Sequence, residues 1–232
     1  MQSLISFFKL IRLPNIFTAI SNVCAGAVIV NGGIFPIPDI FFVIIASAFL
    51  YGGGIAINDY SDRGFDREFR PERPIPSGGI SEREALLIGV SLLIIGIISG
   101  FIISKNAGFI AVAIAISAVL YDSFLKKWFL PGIISMGLCR GLNWSLGLET
   151  GKGILDFIPI PIAIFIYIVI LTAVSRYEVK KSGLKKIVAA GIILLPIIDG
   201  FIVLSYGYIW QGLLVSLLIV PTILFSKIFD MT

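Results

Sequence analysis

Apolar residues in this chain come in long unbroken runs rather than in short alternating stretches. Eight runs can be marked, at 13–31, 37–57, 83–104, 107–123, 129–148, 156–174, 187–205 and 208–228. A helix needs about 20 mostly apolar residues to cross a bilayer, and each run is near that length. Lipid offers the backbone no hydrogen bonds, so a spanning segment is either a helix or part of a closed barrel. The runs lack the ten-residue alternation of barrel strands, which leaves helices. The pattern predicts an all-α integral membrane protein of about eight transmembrane helices. The first run is longer than a signal-peptide core and has no A-x-A site, so it is expected to stay as a span. Polar residues collect in two places, at 58–82 after the second run and at 175–186 after the sixth. That recurrence predicts one domain, residues 1–232, built as two four-helix halves with a polar loop after the second helix of each.

Charge adds an orientation. Only 14% of residues are charged, against about 25% in soluble domains, so almost every charge needs a reason. Basic residues crowd one set of connections: Lys9 and Arg12, five arginines between Arg63 and Arg83, Lys126 and Lys127, Arg176 to Lys186, and Lys227. The opposite connections hold only Lys105 and Lys152. The positive-inside bias places both termini and both polar segments in the cytoplasm. The net charge of +4 is thereby a property of loops, and no nucleic-acid partner is expected. The chain has no histidine, which excludes zinc sites of the HExxH type and Ser-His-Asp triads. Cys24 and Cys139 lie inside apolar runs and are read as small buried thiols.

The stretch NDYSDRGFDREFRPERPIPSG, residues 58–78, packs nine charges between two spans. Asp59, Asp62 and Asp66 are three and four apart, so on a helix continuing out of the second span they share one face, joined by Asn58. Three neighbouring carboxylates repel one another unless protonated or bridged by a cation. A hard divalent ion such as Mg2+ suits them, because it takes one or two carboxylates and leaves places for phosphate oxygens. Arg67, Arg70 and Arg73 follow, and guanidinium forks match phosphate geometry. Three prolines in RPERPIPSG predict an extended, stiff loop able to hold Arg73 over bound phosphates. The plain alternative is a solvated loop of mixed charge.

This stretch resembles the NDxxDxxxD signature and following RPxRPIPSG segment of the UbiA superfamily of intramembrane prenyltransferases. RLPNIFTAISNVCAGA resembles the first helix of that family and YDSFLKKW its Y-x-x-x-L-K segment, while MGLCRGLNWSLG and SRYEV look most like its EboC-like branch. The resemblance implies a Mg2+-dependent enzyme that moves a polyprenyl group from its diphosphate to a lipophilic acceptor. Carried onto this chain, Asn58, Asp59, Asp62 and Asp66 form the first metal loop, and Arg67, Arg73 and Lys126 contact the diphosphate. Tyr121 lies near the reacting carbon or the phosphates, with Asp59 and Asp62 as its catalytic companions. Family enzymes carry a second acid loop, where this chain reads SRYEVKKSGLKK with Glu178 as its only acid. Glu178 is then the remaining metal ligand on that side, and Arg176 supplies fixed positive charge in place of a lost ion. The altered loop also motivates another reading, a non-catalytic UbiA-like protein that binds or transports a lipid-linked or aromatic metabolite. A CDP-alcohol phosphotransferase is excluded, since no Asp-Gly or Ala-Arg follows at the required spacing.

Arg140 and Asp199 are charges inside spans. Such residues face the bundle interior and mark function or lock helices together. Arg140 has Asp199, Asp122 or Glu178 as possible partners, and either binds an anionic headgroup or makes a structural ion pair. Asn143, one turn on, shares its surface. Trp128, Trp144 and Trp210 are read as core or interfacial residues.

Overall fold

The computed structural model describes residues 2–177 and 182–229 and is helical throughout, with no strand among the described residues. The helices are α1 (Gln2–Leu10), α2 (Leu13–Val30), α3 (Asp39–Phe69), α4 (Glu82–Ile103), α5 (Lys105–Ser123) and α6 (Phe129–Leu148). They continue with α7 (Pro159–Tyr177), α8 (Ser182–Ile193), α9 (Leu195–Ser205), α10 (Ile209–Ser216) and α11 (Ile219–Ser226). All eight apolar runs fall mainly in helices. Among the described residues, six segments are long and apolar enough to cross a membrane, and a seventh is the α8–α9 pair, bent by 44°. Pro196 in the first turn of α9 accounts for that bend, since it cannot extend the hydrogen-bond ladder of the preceding turn. The one expected span left over, the fifth run, α6, has the length but not the hydropathy. Arg140, Asn143 and four glycines dilute it. The protein is a multi-pass membrane protein.

Burial singles out α2. Its apolar window is 78% buried, against 17–44% for the other candidate spans. It packs against α3 and α6 and also against α9, α10 and α11, so it joins helices from early and late in the chain. In lipid, apolar helices gain little by leaving the solvent, and close backbone packing does the work instead. At the α2–α6 crossing, a Cβ on Gly147 would stand 2.4 Å from the Val23 carbonyl oxygen, and one on Gly26 would stand 2.9 Å from that of Trp144. Gly53 does the same for α3 against α4, 2.9 Å from the Gly89 carbonyl oxygen. Cys24 and Cys139 are free thiols.

The polar segment 58–82 departs from a simple loop. Up to Phe69 it is helix, because α3 runs for 31 residues. That is about 46 Å, well beyond the hydrocarbon thickness of about 30 Å. The expected extended loop over 70–78 is also corrected: it is a series of turns, closed by hydrogen bonds from Ser77 N–H to the Arg73 carbonyl (2.9 Å) and Ile80 N–H to the Pro74 carbonyl (3.0 Å). The cause is apolar anchoring. Ile75 and Ile80 are buried with Leu10, Ala56 and Ala85, and Gly78 turns the chain at φ 75°. Ser81 then starts α4 with a reciprocal cap, accepting from Glu84 N–H at 3.2 Å while the Glu84 carboxylate accepts from Ser81 N–H at 2.9 Å.

Candidate functional site

The extension of α3 carries Asp59, Asp62 and Asp66 past the bundle on one face, as their spacing predicts. Each carboxylate meets at least one cation from outside α3. Asp59 is held by Arg12 at 3.2 Å and Arg73 at 3.1 Å. Asp66 is held by Arg73 at 2.9 Å and faces Arg70 at 3.6 Å. Asp62 accepts from Lys126 at 2.5 Å. Asp59 and Asp66 are buried, at 4% and 1% exposure, so this is a closed charge network and not a solvated loop. Asn58 donates to Asp122 at 2.5 Å, and Lys126 lies 3.9 Å from the same Asp122 carboxylate.

Local folding explains two of these placements. Arg12 is the only non-glycine residue with positive φ among the described residues, at 47°. This left-handed residue joins α1 to α2 and aims its guanidinium at Asp59, a strained conformation of the kind concentrated at functional sites. Arg73 is set by the turns of 70–81 described above. Arg67 is not brought to the cluster. It is exposed and pairs with Glu82, which also holds Arg63 at 2.8 Å. At about 100° per residue it projects away from the acid face.

A cavity of about 180 Å³ opens beside this network. Arg12, Asn58, Tyr121 and Asp122 line it beside the network, and Leu50, Ile55, Ile114 and Met136 give it an apolar wall. Tyr51, seven residues back from Asn58 along α3, and Ser47, four residues further back, line it deeper in the bundle, as do Arg140 and Asn143. Arg176 donates to the Trp128 carbonyl at 3.0 Å and lies 6.0 Å from the Phe129 ring, at the acid end but off the carboxylates. Glu178 lies outside the described residues.

Mid-bundle, Arg140 pairs with neither Asp199 nor Asp122. It donates to Asn22 Oδ1 at 3.1 Å and Thr18 Oγ1 at 2.7 Å, with the Tyr51 ring 5.1 Å away. Asp199 accepts from Ser21 (2.5 Å), Asn22 (2.7 Å) and Trp144 (2.9 Å). Asn143 donates to the Ala19 carbonyl at 2.9 Å. Of the tryptophans, Trp144 is core at 0% exposure, and Trp128 and Trp210 face outward.

Mg2+ can be tested against these donors. Among the described residues no three acidic, histidine or cysteine side chains already converge as a metal cage. The donor chemistry nevertheless fits a hard cation. All candidates are oxygen ligands, and Asp66 Oδ1 is buried without a hydrogen-bond donor.

Reasoning from sequence does not reach Arg12 or Tyr51 as site residues. By position Arg12 reads as one more basic loop residue, although it stands two residues before Pro14 at the start of a span. Asp122 reads there only as a partner for Arg140, although it precedes Lys126 by one helical turn.

Comparison with known proteins gives a consistent set of relatives. The profile of the UbiA prenyltransferase family matches residues 19–229. The digeranylgeranylglyceryl phosphate synthase of Ignicoccus hospitalis is 30% identical over 189 residues, covering 77% of this chain and 61% of that protein. The synthase of the same name from Methanothrix thermoacetophila is 38% identical over 107 residues, covering 45% of this chain and 40% of that protein. The chain thus spans less than two thirds of the length of these relatives. A solved digeranylgeranylglyceryl phosphate synthase aligns over 98% of this chain and 88% of its own, with TM-score 0.73 and 25% identity. A UbiA homologue from Archaeoglobus fulgidus, solved with DMAPP and Mg2+, shares the fold at TM-score 0.64 and 22% identity over 96% of this chain and 86% of its own.

Proposed function

Since the chain belongs to the UbiA prenyltransferase family, we propose that it transfers a polyprenyl group from its diphosphate to a lipophilic acceptor within the bundle, with Mg2+ as cofactor. The observation that carries this reading is the cavity, whose polar end lies against the acid network and which has an apolar wall. The diphosphate belongs at the polar end and the allylic carbon just inside it. Asn58, Asp59, Asp62 and Asp66 would hold Mg2+, which when bound offsets the negative charge of the departing diphosphate. Arg12, Arg73 and Lys126, at 2.5–3.2 Å from the carboxylates, are close enough to donate to phosphate oxygens once those carboxylates turn to the ion. The positive charge developing on the allylic carbon is sheltered from water by Leu50, Ile55, Ile114 and Met136. Tyr121 offers a ring face and a hydroxyl at the junction of the two zones. Arg176 adds positive charge at the same end, where Glu178 is the remaining acid of the second polar segment. The substrate-binding group is completed by Asn143 and Arg140 deeper in the bundle.

Incubation of the purified protein with geranyl, farnesyl and geranylgeranyl diphosphates tests this directly. Magnesium-dependent release of diphosphate with a lipid extract as acceptor source, abolished by EDTA, is the expected result. Tight diphosphate binding without release for every chain length favours the binding or transport role instead. The orientation belongs to the same reading: both termini and the acid end face the cytoplasm. A cysteine at Ser77, in a chain lacking Cys24 and Cys139, is then protected from impermeant thiol reagents in intact cells and labelled after lysis.

A further inference from the structure

We propose that Asp122 is a positioning residue for magnesium binding: it holds the Asn58 amide by its nitrogen, so that the amide oxygen is the end left to face the metal. The metal rests on the transferase reading above; the orientation of the amide rests on its own geometry. Asp122 stands in the last turn of α5 and is 4% exposed. Among the described residues that line the cavity it is the only acid. Its Oδ1 accepts from Asn58 Nδ2 at 2.5 Å. An ionised carboxylate has acceptors and no donor, so the nitrogen is the only end of the amide that suits it. The Asn58 oxygen is thereby turned away from Asp122. A hard cation takes oxygen ligands, and an amide whose nitrogen is unheld can turn over and present a donor to the ion instead.

Helix register sets this contact. Pairs between α3 and the α5 side recur one turn apart at the same offset of 64 residues: Gly54 with Ala118, Asn58 with Asp122, and Asp62 with Lys126. A Cβ on Gly54 would stand 3.3 Å from the Ala118 Cβ, so two small residues let the helices approach closely one turn before the polar pair. Asp122 Oδ1 also lies 3.9 Å from Lys126 Nζ, whose nearer partner is Asp62 at 2.5 Å. One carboxylate therefore borders a metal ligand and a diphosphate contact at once. Asp122 differs in this from Asp59, Asp62 and Asp66. Each of those meets a cation at 2.5–3.2 Å and has to exchange it for the ion, whereas the bond from Asn58 to Asp122 is kept when the metal arrives. Outer partners of this kind are worth about 10–100-fold in metal affinity.

The test reads binding and not turnover. Radiolabelled geranyl S-thiolodiphosphate, a slow-reacting analogue, is held at a low fixed concentration, and the Mg2+ concentration that half-saturates its binding to the purified protein is measured. Asp122→Asn should raise that concentration about tenfold. Asn58→Ala should raise it at least as much. In the double variant, D122N should add less than about twofold to N58A, because residues that act through one contact are not additive. An unchanged Mg2+ requirement in D122N overturns the proposal, and so does a full tenfold loss added on top of N58A, which would mark a role in packing or overall charge. If D122N shows no unfolding transition in detergent, proton exchange of the Asn58 side-chain amide in the parent decides. That amide is followed by NMR in protein labelled with 15N-asparagine and assigned by its loss in N58A. Slow exchange that persists after Mg2+ and the analogue are added supports the proposal, and exchange as fast as in free asparagine overturns it. Analogue binding to the parent that ignores Mg2+ sinks the metal reading together with this proposal, whereas Mg2+-dependent binding that ignores Asp122 sinks this proposal alone.

Discussion

The two charged regions of this bundle follow opposite rules. At the acid end, carboxylate meets cation directly, and Arg73 alone bridges Asp59 and Asp66. In the middle, Asp199 and Arg140 are both buried yet kept apart by Asn22. Direct pairs can exchange partners, because a diphosphate or a metal ion offers either member a replacement charge and leaves neither buried and unpaired. The separated charges cannot. Each is fixed by neutral groups, Arg140 by Thr18 and Asn22 and Asp199 by Ser21, Asn22 and Trp144, so the pair is a permanent part of helix packing. The acid end holds its charges in direct pairs that another charge could replace, and the middle holds them in a fixed lattice of neutral bridges.

Removing one carboxylate from each region tests that contrast. Asp199→Ala strands three buried donors. Hydrogen bonds between membrane helices are worth roughly 0.6 kcal/mol on average and up to about 1.7, so the three together predict a loss of roughly 2–5 kcal/mol. Thermal unfolding in detergent should show it as the largest drop of any variant considered, and an unchanged midpoint would end the idea that the middle is a fixed brace. Asp59→Asn and Asp62→Asn should do the reverse. Each removes a charge that the cation needs, and magnesium-dependent binding of geranyl diphosphate should weaken about 100-fold, or about 2.7 kcal/mol. The unfolding midpoint should move far less than in Asp199→Ala, and a large destabilisation with intact binding would invert the comparison. The smallest effect sharpens the boundary of the acid end. Arg73→Gln should weaken diphosphate binding about tenfold, or about 1.4 kcal/mol. Arg67→Gln should change it by less than about twofold, since Arg67 is 62% exposed and held by Glu82. Equal losses in the two arginine variants would mean that Arg67 turns inward when ligand binds.

Legibility in the sequence divides along the same line. The acid end is readable because its residues lie close in the chain and recur at helical spacing, so the spacing alone places Asp59, Asp62 and Asp66 on one face. Lys126 is reached only through resemblance, being 64 residues from Asp62. The middle is visible in the sequence as two odd charges, but not as a network. Its contacts join residues 55 to 178 positions apart, and nothing local records which helices will meet. The polar face of α2, with Thr18, Ser21 and Asn22 one turn apart, is a signal present in the sequence but hidden by the apolar run around it. Segment type is legible throughout. The turns of 70–81 are not, because the prolines speak for extension while burial of Ile75 and Ile80 decides the outcome.

The central position of α2 also has a consequence for how the protein is made. Its polar face is satisfied by Arg140 of α6 and Asp199 of α9, both of which leave the ribosome later. At about 5–20 residues per second, the intervening 118–178 residues take roughly 6–35 seconds to synthesise. During that interval Thr18, Ser21 and Asn22 sit in a helix whose partners on α6 and α9 do not yet exist. The helix that organises the finished bundle therefore completes its polar contacts only when α9 arrives; until then the Thr18 and Ser21 hydroxyls have the Asn15 and Thr18 carbonyls of their own helix, and the Asn22 amide is the group left waiting.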